Sequence, residues 1–309
     1  MDSIITNNYP LHFNNTAYEK LSTFIEKNNF SKIIIITDTN TRLLCLNKFY
    51  SKFNKENEIV NISFSAGEKN KNLSTCEELW TSLSKYGVDR SSLIINLGGG
   101  VVTDLGGFVA STFLRGIQFI NMPTTLLSMV DASIGGKTGI DLNNIKNQIG
   151  VINNPSMVII DSEFLETLPL EEMKSGFSEM IKHSLITGIT YWEAIKSTNI
   201  ISFLPGNCFY NSILIKSKIV DDDPYEKGLR KVLNYGHTVG HAIETFCLNT
   251  DNRKDLTHGH SIALGMVVEG YLSTIKQNFD KKLNSEINHF LLLNFEKNIF
   301  SEKEIEEII

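Results

Sequence analysis

Residues 93–112 read LIINLGGGVVTDLGGFVAST, and this stretch decides the fold. Leu93–Leu97 is an apolar run of strand length. Gly98-Gly99-Gly100 breaks it, and the text that follows continues with helical spacing. A buried strand that passes through glycines into a helix begins a βα unit. The triple glycine lets a ligand approach the backbone and presents free N–H groups at the positive end of a helix, which suits pyrophosphate. A tight turn needs glycine anyway, and GGG is not the GxGxxG spacing, so the turn alone leaves both readings open.

Outward from this turn the same alternation repeats. Residues 32–36 (KIIII), 58–64 (EIVNISF), 117–121 and 157–160 (MVII) read as strands, and 72–86 reads as a helix. No hairpin signal separates them, which predicts βαβ units and a mostly parallel sheet. After residue 161 the pattern changes to long 3.6-period segments at about 170–190, 207–222, 229–248, 258–277 and 283–295. The expected organisation is an α/β domain over 1–161 and an all-helical domain over 162–309.

Composition agrees with two buried cores. The chain has 309 residues, 41% hydrophobic and 21% charged, with a net charge of −6. That apolar fraction excludes a disordered chain, and the acidic balance argues against a general nucleic-acid binder, whose affinity rests on phosphate neutralisation. Cys45, Cys76, Cys208 and Cys247 lie far apart without a CxxC spacing, so they read as reduced thiols. There is no run of 18 apolar residues and no basic-then-apolar leader, so a cytoplasmic protein with no membrane partner is expected.

Several side chains can carry chemistry. Asp38 follows the first isoleucine run, where it suits either ribose hydroxyls or a helix cap. His237 and His241 stand four apart on one helical face, and His258 and His260 follow within 24 residues. Neutral imidazoles joined by a carboxylate make an open zinc shell, with Glu179, Glu226 and Glu244 all available by spacing. Arg115, Lys137, Lys146, Lys182, Lys216 and Arg230 sit in apolar or glycine-rich text, as cations for a small polyanion do. Lys182 lies three residues beyond Glu179 and so on nearly the same face. Arg230, Asn234 and His237 share a face if 229–248 is one helix.

These residues fall in motifs that resemble the 3-dehydroquinate synthase family of sugar-phosphate cyclases: GGGVVTDLGGFVASTFLRG, MPTTLLSMVDASIGGKTGID, NIKNQIG, FLETLP, SEMIK, KSKIVDDDPYEKGLRKVLNYGHTVGHAIE and HGHSIALGM. The similarity runs from about Thr37 to about Gly270. It implies an N-terminal Rossmann-like domain with a C-terminal helical domain, a homodimer, NAD, a divalent metal (zinc or cobalt), and a small phosphorylated keto-acid substrate. By motif it implies Glu179, His237 and His258 as metal ligands. The implied NAD positions are Asp38, Thr39, Asn40, Glu68, Lys71, Gly99, Gly100, Val101, Asp104, Thr124, Thr125, Lys146 and Phe164, Leu165, Glu166 and Thr167. The implied substrate contacts are Arg115, Asp131, Lys137, Asn147, Lys182, Lys216, Arg230 and Asn234. Glu226 and His241 match acid–base positions, with Lys182 and Asp131 also in the catalytic set.

Two departures from the family pattern stand out. His260 occupies a position where many members carry glutamate. Members also continue through a lysine-rich segment that supplies a further substrate lysine, for which nothing here is a match, so this chain is expected to fold but to be catalytically impaired. The rival readings are an inosose- or valiolone-type cyclase, a metal-dependent glycerol-type dehydrogenase and a non-catalytic paralogue. Lys216, Arg230, Asn234 and His241 together match the dehydroquinate pattern.

Overall fold

Branched apolar runs without polar interruption suit strands covered on both faces, and they build the sheet of the first unit. In the computed structural model, which describes residues 1–53, 59–143, 145–200, 205–250, 253 and 256–308, the strands are β1 (Ile4–Ile5), β2 (Pro10–Phe13), β3 (Ile33–Asp38), β4 (Ile59–Phe64), β5 (Leu93–Gly98), β6 (Gln118–Pro123), β7 (Lys137–Leu142), β8 (Ile145–Ile152) and β9 (Val158–Ile160). The helices among them are α1 (Asn14–Asn28), α2 (Thr39–Leu44), α3 (Leu46–Lys52), α4 (Leu73–Lys85) and α5 (Gly100–Thr112). Seven strands form one sheet in the order β1-β2-β9-β6-β5-β3-β4, parallel throughout except for β1 against β2. Ile34, Ile36 and Ile94 pack against Leu79 and Leu83 of α4 and Val102 and Val109 of α5.

The strand order positions a site. The chain lays β4 outside β3, then returns to place β5 on the other side of β3, with β6 beyond it. The direction in which successive strands are added reverses between the parallel strands β3 and β5, and open α/β sheets bind ligands at the carboxyl ends of strands at such a switch. Asp38 ends β3 and Gly98 ends β5.

One local expectation is corrected here. β7 and β8 pair antiparallel as a hairpin, where none was expected. Asn143 at its tip takes a φ of +48°, a left-handed conformation that asparagine tolerates better than most residues. A Cβ on Gly139 would lie 2.6 Å from the Ile149 carbonyl, so the close approach of the two strands requires glycine.

The chain divides into Met1–Leu168 with Lys216–Pro224, and Pro169–Ile215 with Tyr225–Ile309. The second unit is built from α6 (Leu170–Thr187), α7 (Ile189–Lys196), the first part of α8 (Asn207–Asp222), α9 (His237–Leu248), α10 (His258–Lys276), α11 (Lys281–Asn294) and α12 (Glu302–Ile308). The expected single helix over 229–248 is instead a 3-10 turn, Leu229–Asn234, followed by α9. Gly236 breaks it with a φ of +80°, and a Cβ there would meet Met266 at 2.6 Å. Arg230, Asn234 and His237 therefore do not share one helical face. No helix among the described residues is long and apolar enough to cross a membrane, and all four cysteines are free thiols.

Candidate functional site

In the first unit the site begins at the strand switch. Asp38 caps α2: its Oδ1 accepts from the Thr41 backbone N–H at 2.7 Å, and the Thr41 hydroxyl accepts from the Asp38 N–H. Thr39 and Asn40 are exposed at the start of the same helix, and the Thr39 hydroxyl accepts from the Ala66 N–H at 3.1 Å. Across the switch, Gly99 stands just before α5. A Cβ on Gly98 would lie 2.4 Å from Val102 and one on Gly99 would lie 2.9 Å from Thr125, so packing alone requires both glycines. At Gly100 the nearest atom would be 3.5 Å away, an ordinary contact. Packing does not demand the third glycine.

A charged network flanks this turn. Lys71, 4% exposed, donates to Asp104 on α5 and to the side-chain oxygen of Asn147 on β8, both at 2.6 Å. Burial alone would lower the Lys71 ammonium, but Asp104 and Glu68 hold it above its ordinary value. Burial pushes the Asp104 carboxyl up, against the pull of Lys71. Lys146 pairs with Glu68 at 3.1 Å, and Asn147, with a φ of +53°, donates its N–H to Asp141 at 2.8 Å. Lys216 on α8 donates to Asp131 at 2.6 Å. Val101 and Thr125 are half-buried and Thr124 is buried. Arg115 and Lys137 are exposed, Arg115 with a φ of +68°. Phe164 and Leu165 are buried, Thr167 is exposed, and Glu166 pairs with Lys48 at 2.7 Å.

In the second unit three helices contribute to one cluster. Glu179 and Lys182, 0% and 1% exposed on α6, form an ion pair. Glu179 Oε1 lies 3.7 Å from both His237 Nε2 and His258 Nε2, the first residues of α9 and α10. The His237, His241 and His258 rings form a triangle with centroids 5.2 to 5.5 Å apart, and each offers a nitrogen within 4.8 Å of the others. Neither Glu179 oxygen takes a hydrogen bond of ordinary geometry, although both are sealed from solvent. Burial alone would raise the Glu179 carboxyl, yet Lys182, His237 and His258 hold it well below the usual carboxylate range. A buried anion so arranged, facing two imidazoles, is a donor set that fits a divalent metal. Burial disfavours the His258 imidazolium, but Glu179 and Glu244 outweigh it and raise its pKa to about 9.

Close helix crossings set these positions. A Cβ on Gly259 would lie 2.2 Å from the Ser175 carbonyl, and the Gly259 N–H donates to the Ser175 hydroxyl at 3.0 Å. That contact fixes α10 on α6 one residue after His258 and one turn before Glu179. On α9, a Cβ at Gly265 of α10 would lie 2.0 Å from the Gly236 carbonyl. Glu269 of α10 accepts from the Gly236 N–H at 2.8 Å, placing a carboxylate at the start of the helix that presents His237. The sequence reading missed Ser175, Gly259 and Glu269; glycines in the HGH and NYGH text were their only signal.

The remaining residues lie close by in the chain. Arg230, 2% exposed, sits in the 3-10 turn, which packs on α6. Asn234 donates from its amide to Glu226 Oε1 at 2.6 Å, and Glu226 has a φ of +55°. His260, at the position where many family members carry glutamate, turns away from the triangle and bonds the Glu296 carbonyl at 2.8 Å through Nε2.

Comparison with known proteins matches both halves of the chain. The family model described as 3-dehydroquinate synthase N-terminal matches residues 61–175, and the one described as its C-terminal matches 176–308. A 3-dehydroquinate synthase of Parabacteroides distasonis is 40% identical over 278 residues, covering 88% of this chain and 77% of that one. One from Campylobacter jejuni is 40% identical over 285 residues, covering 89% and 80%. Among solved structures, 2-deoxy-scyllo-inosose synthase complexed with carbaglucose-6-phosphate, NAD+ and Co2+ aligns with a TM-score of 0.85 at 25% identity, covering 99% of this chain and 87% of that one.

Proposed function

This chain belongs to the 3-dehydroquinate synthase family of sugar-phosphate cyclases, and from that premise we propose that it converts 3-deoxy-D-arabino-heptulosonate 7-phosphate into 3-dehydroquinate and phosphate, a step of the shikimate route to aromatic amino acids. It would do so as a cytoplasmic homodimer. The observation that carries the reading is the sealed Glu179 carboxylate facing His237 and His258, with Lys182 beside it.

Glu179, His237 and His258 would hold a zinc or cobalt ion. NAD would be held at the strand switch, by Asp38, Thr39 and Asn40 after β3 and by Gly99, Gly100 and Val101 after β5. Glu68, Lys71, Asp104, Thr124, Thr125, Lys146 and the turn from Phe164 to Thr167 would make the other contacts. When bound, NAD supplies a reversible hydride acceptor and the metal a Lewis acid for a hydroxyl oxygen.

The chain's own residues do the rest. Lys182 and Arg230, both buried, bind the substrate's anionic groups by charge-assisted hydrogen bonds and fix the conformer that reacts. By their motifs, Arg115, Lys137, Asn147, Lys216 and Asp131 would be further substrate contacts. Asn234 holds Glu226 through its amide, so Glu226 keeps one orientation for proton transfer. His241, half-buried in the triangle, is the second acid–base group.

The test is to incubate the protein with the seven-carbon phosphate, substoichiometric NAD and Co2+, then follow phosphate and dehydroquinate. Many turnovers per NAD are expected, without steady growth of NADH. Stoichiometric NADH would overturn the reading in favour of a dehydrogenase, and turnover of a hexose 6-phosphate alone would favour an inosose-type cyclase. His258→Ala should lose bound metal, whereas His241→Ala should keep it and lose activity. Arg230→Ala should reduce kcat/KM by about 10–150-fold, the effect of about 1.5–3 kcal/mol.

A further inference from the structure

Both histidines that face Glu179 have their other ring nitrogen occupied. His237 Nδ1 lies 3.2 Å from the Tyr235 carbonyl oxygen, and His258 Nδ1 lies 3.3 Å from Oε2 of Glu244. Glu244 is 3% exposed on α9, two turns beyond His237 and one residue short of a turn beyond His241. Its carboxylate is a deliberate expense at such a position, because a buried anion needs a donor to offset its lost hydration. The donor is the Nδ1–H of an imidazole whose Nε2 points the opposite way, 3.7 Å from Glu179.

Resting on the metal-site reading above, we infer that Glu244 is a positioning residue for the metal: it accepts the Nδ1–H of His258, fixes the ring's rotation and tautomer, and leaves the Nε2 lone pair to the ion. A neutral imidazole carries one proton, and whichever nitrogen bonds the carboxylate keeps it. A carboxylate holds that proton on Nδ1 and makes Nε2 the more basic donor. The Tyr235 carbonyl serves His237 in the same way but without charge. The two partners are thus unequal, a carbonyl for His237 and a carboxylate for His258. In this assignment Glu244 acts on the metal through His258 and touches neither substrate nor NAD.

The experiment measures Co2+ and Zn2+ affinity by chelator competition in the full chain, with NAD affinity and the melting temperature of the metal-free protein as controls. Glu244→Ala should weaken metal binding by about 10–100-fold, the range for removing such a partner, and leave NAD affinity unchanged. Glu244→Gln, whose amide oxygen can accept the same proton, should recover most of that loss. Parent-like metal affinity in folded Glu244→Ala would overturn the inference. His258→Ala is measured alongside. If it also keeps parent-like affinity, the ligand assignment itself fails; if it alone loses metal, only the role of Glu244 does. Should Glu244→Ala not fold, the zinc-loaded parent labelled with 15N-histidine decides. His258 should then be metal-bound through Nε2 with a protonated, hydrogen-bonded Nδ1, and coordination through Nδ1 would overturn the inference.

Discussion

Each unit contains a buried lysine–carboxylate pair, and the two pairs are built differently. In the first unit the Lys71 ammonium donates to Asp104 and to Asn147, and the Asp104 side chain keeps 20% of its surface in contact with solvent. In the second unit Lys182 pairs with Glu179, whose two oxygens are sealed and take no ordinary hydrogen bond. In the first network the Lys71 ammonium answers both Asp104 and Glu68, and Lys146 pairs with Glu68 as well. The Glu179 carboxylate is answered by one ammonium and two imidazoles, the donor set proposed above for a metal.

The sharpest test removes the two ammonium groups in turn. In metal-free protein, Lys182→Met should lower the unfolding free energy by about 3–5 kcal/mol, because it strands a buried carboxylate. Lys71→Met should lower it by only about 1–3 kcal/mol, since Asp104 can take up water or a proton. Saturating Zn2+ should bring Lys182→Met close to the zinc-loaded parent, and should leave the deficit of Lys71→Met relative to that parent unchanged. Equal losses in urea unfolding, or no rescue by zinc, would break the comparison.

The glycines give the next contrast. Gly259→Ala pushes a Cβ into the Ser175 backbone, so it should lower stability by about 1–3 kcal/mol and reduce metal content while NAD still binds. Gly100→Ala has room for its methyl group and should change stability by no more than about 0.5 kcal/mol. Its effect should appear in calorimetric titration with NAD, as weaker binding where the ligand approaches the backbone. If Gly100→Ala unfolds the protein as readily as Gly259→Ala, the first turn is a packing feature only.

The smallest effect lies at the rim of the second unit. Glu304 accepts from Arg253 Nε at 2.7 Å and from the Ser301 N–H at 2.8 Å, and these bonds lower its carboxyl from 4.5 to about 2. A depressed pKa means the contribution is full above pH 4.5 and lost as pH falls through about 2. Amide exchange at Ser301 should stay slow to well below pH 4 and accelerate near pH 2. Acceleration already at pH 4 to 5 would show that the clamp does not hold.

The sequence by itself determined five of the seven strands of the first unit's sheet, all but β1 and β2, and the motifs that place the chain in its family. Runs such as Ile33–Ile36 and Leu93–Leu97 carry strand information locally, because a strand buried on both faces can only be continuous and apolar. Gly98–Gly100, between a strand and a helix, was readable for the same reason. The histidines at 237, 241 and 258 were readable as a set, since imidazoles four apart share a helical face.

What only the tertiary structure decided is which groups meet. The β7–β8 hairpin depended on Asn143 accepting a left-handed backbone, and the break at Gly236 on a crossing with Met266. Neither has a periodic signature. Spacing left Glu179, Glu226 and Glu244 equal as carboxylates. Packing separated them: Glu179 faces two Nε2 atoms, Glu226 is held by Asn234, and Glu244 lies behind His258. Those differences arise from close crossings at Ser175–Gly259 and Gly236–Gly265, contacts between residues 84 and 29 positions apart. Sequence periodicity reports what a residue's own element does. It does not report which atom of a distant element comes to lie within 3 Å of it.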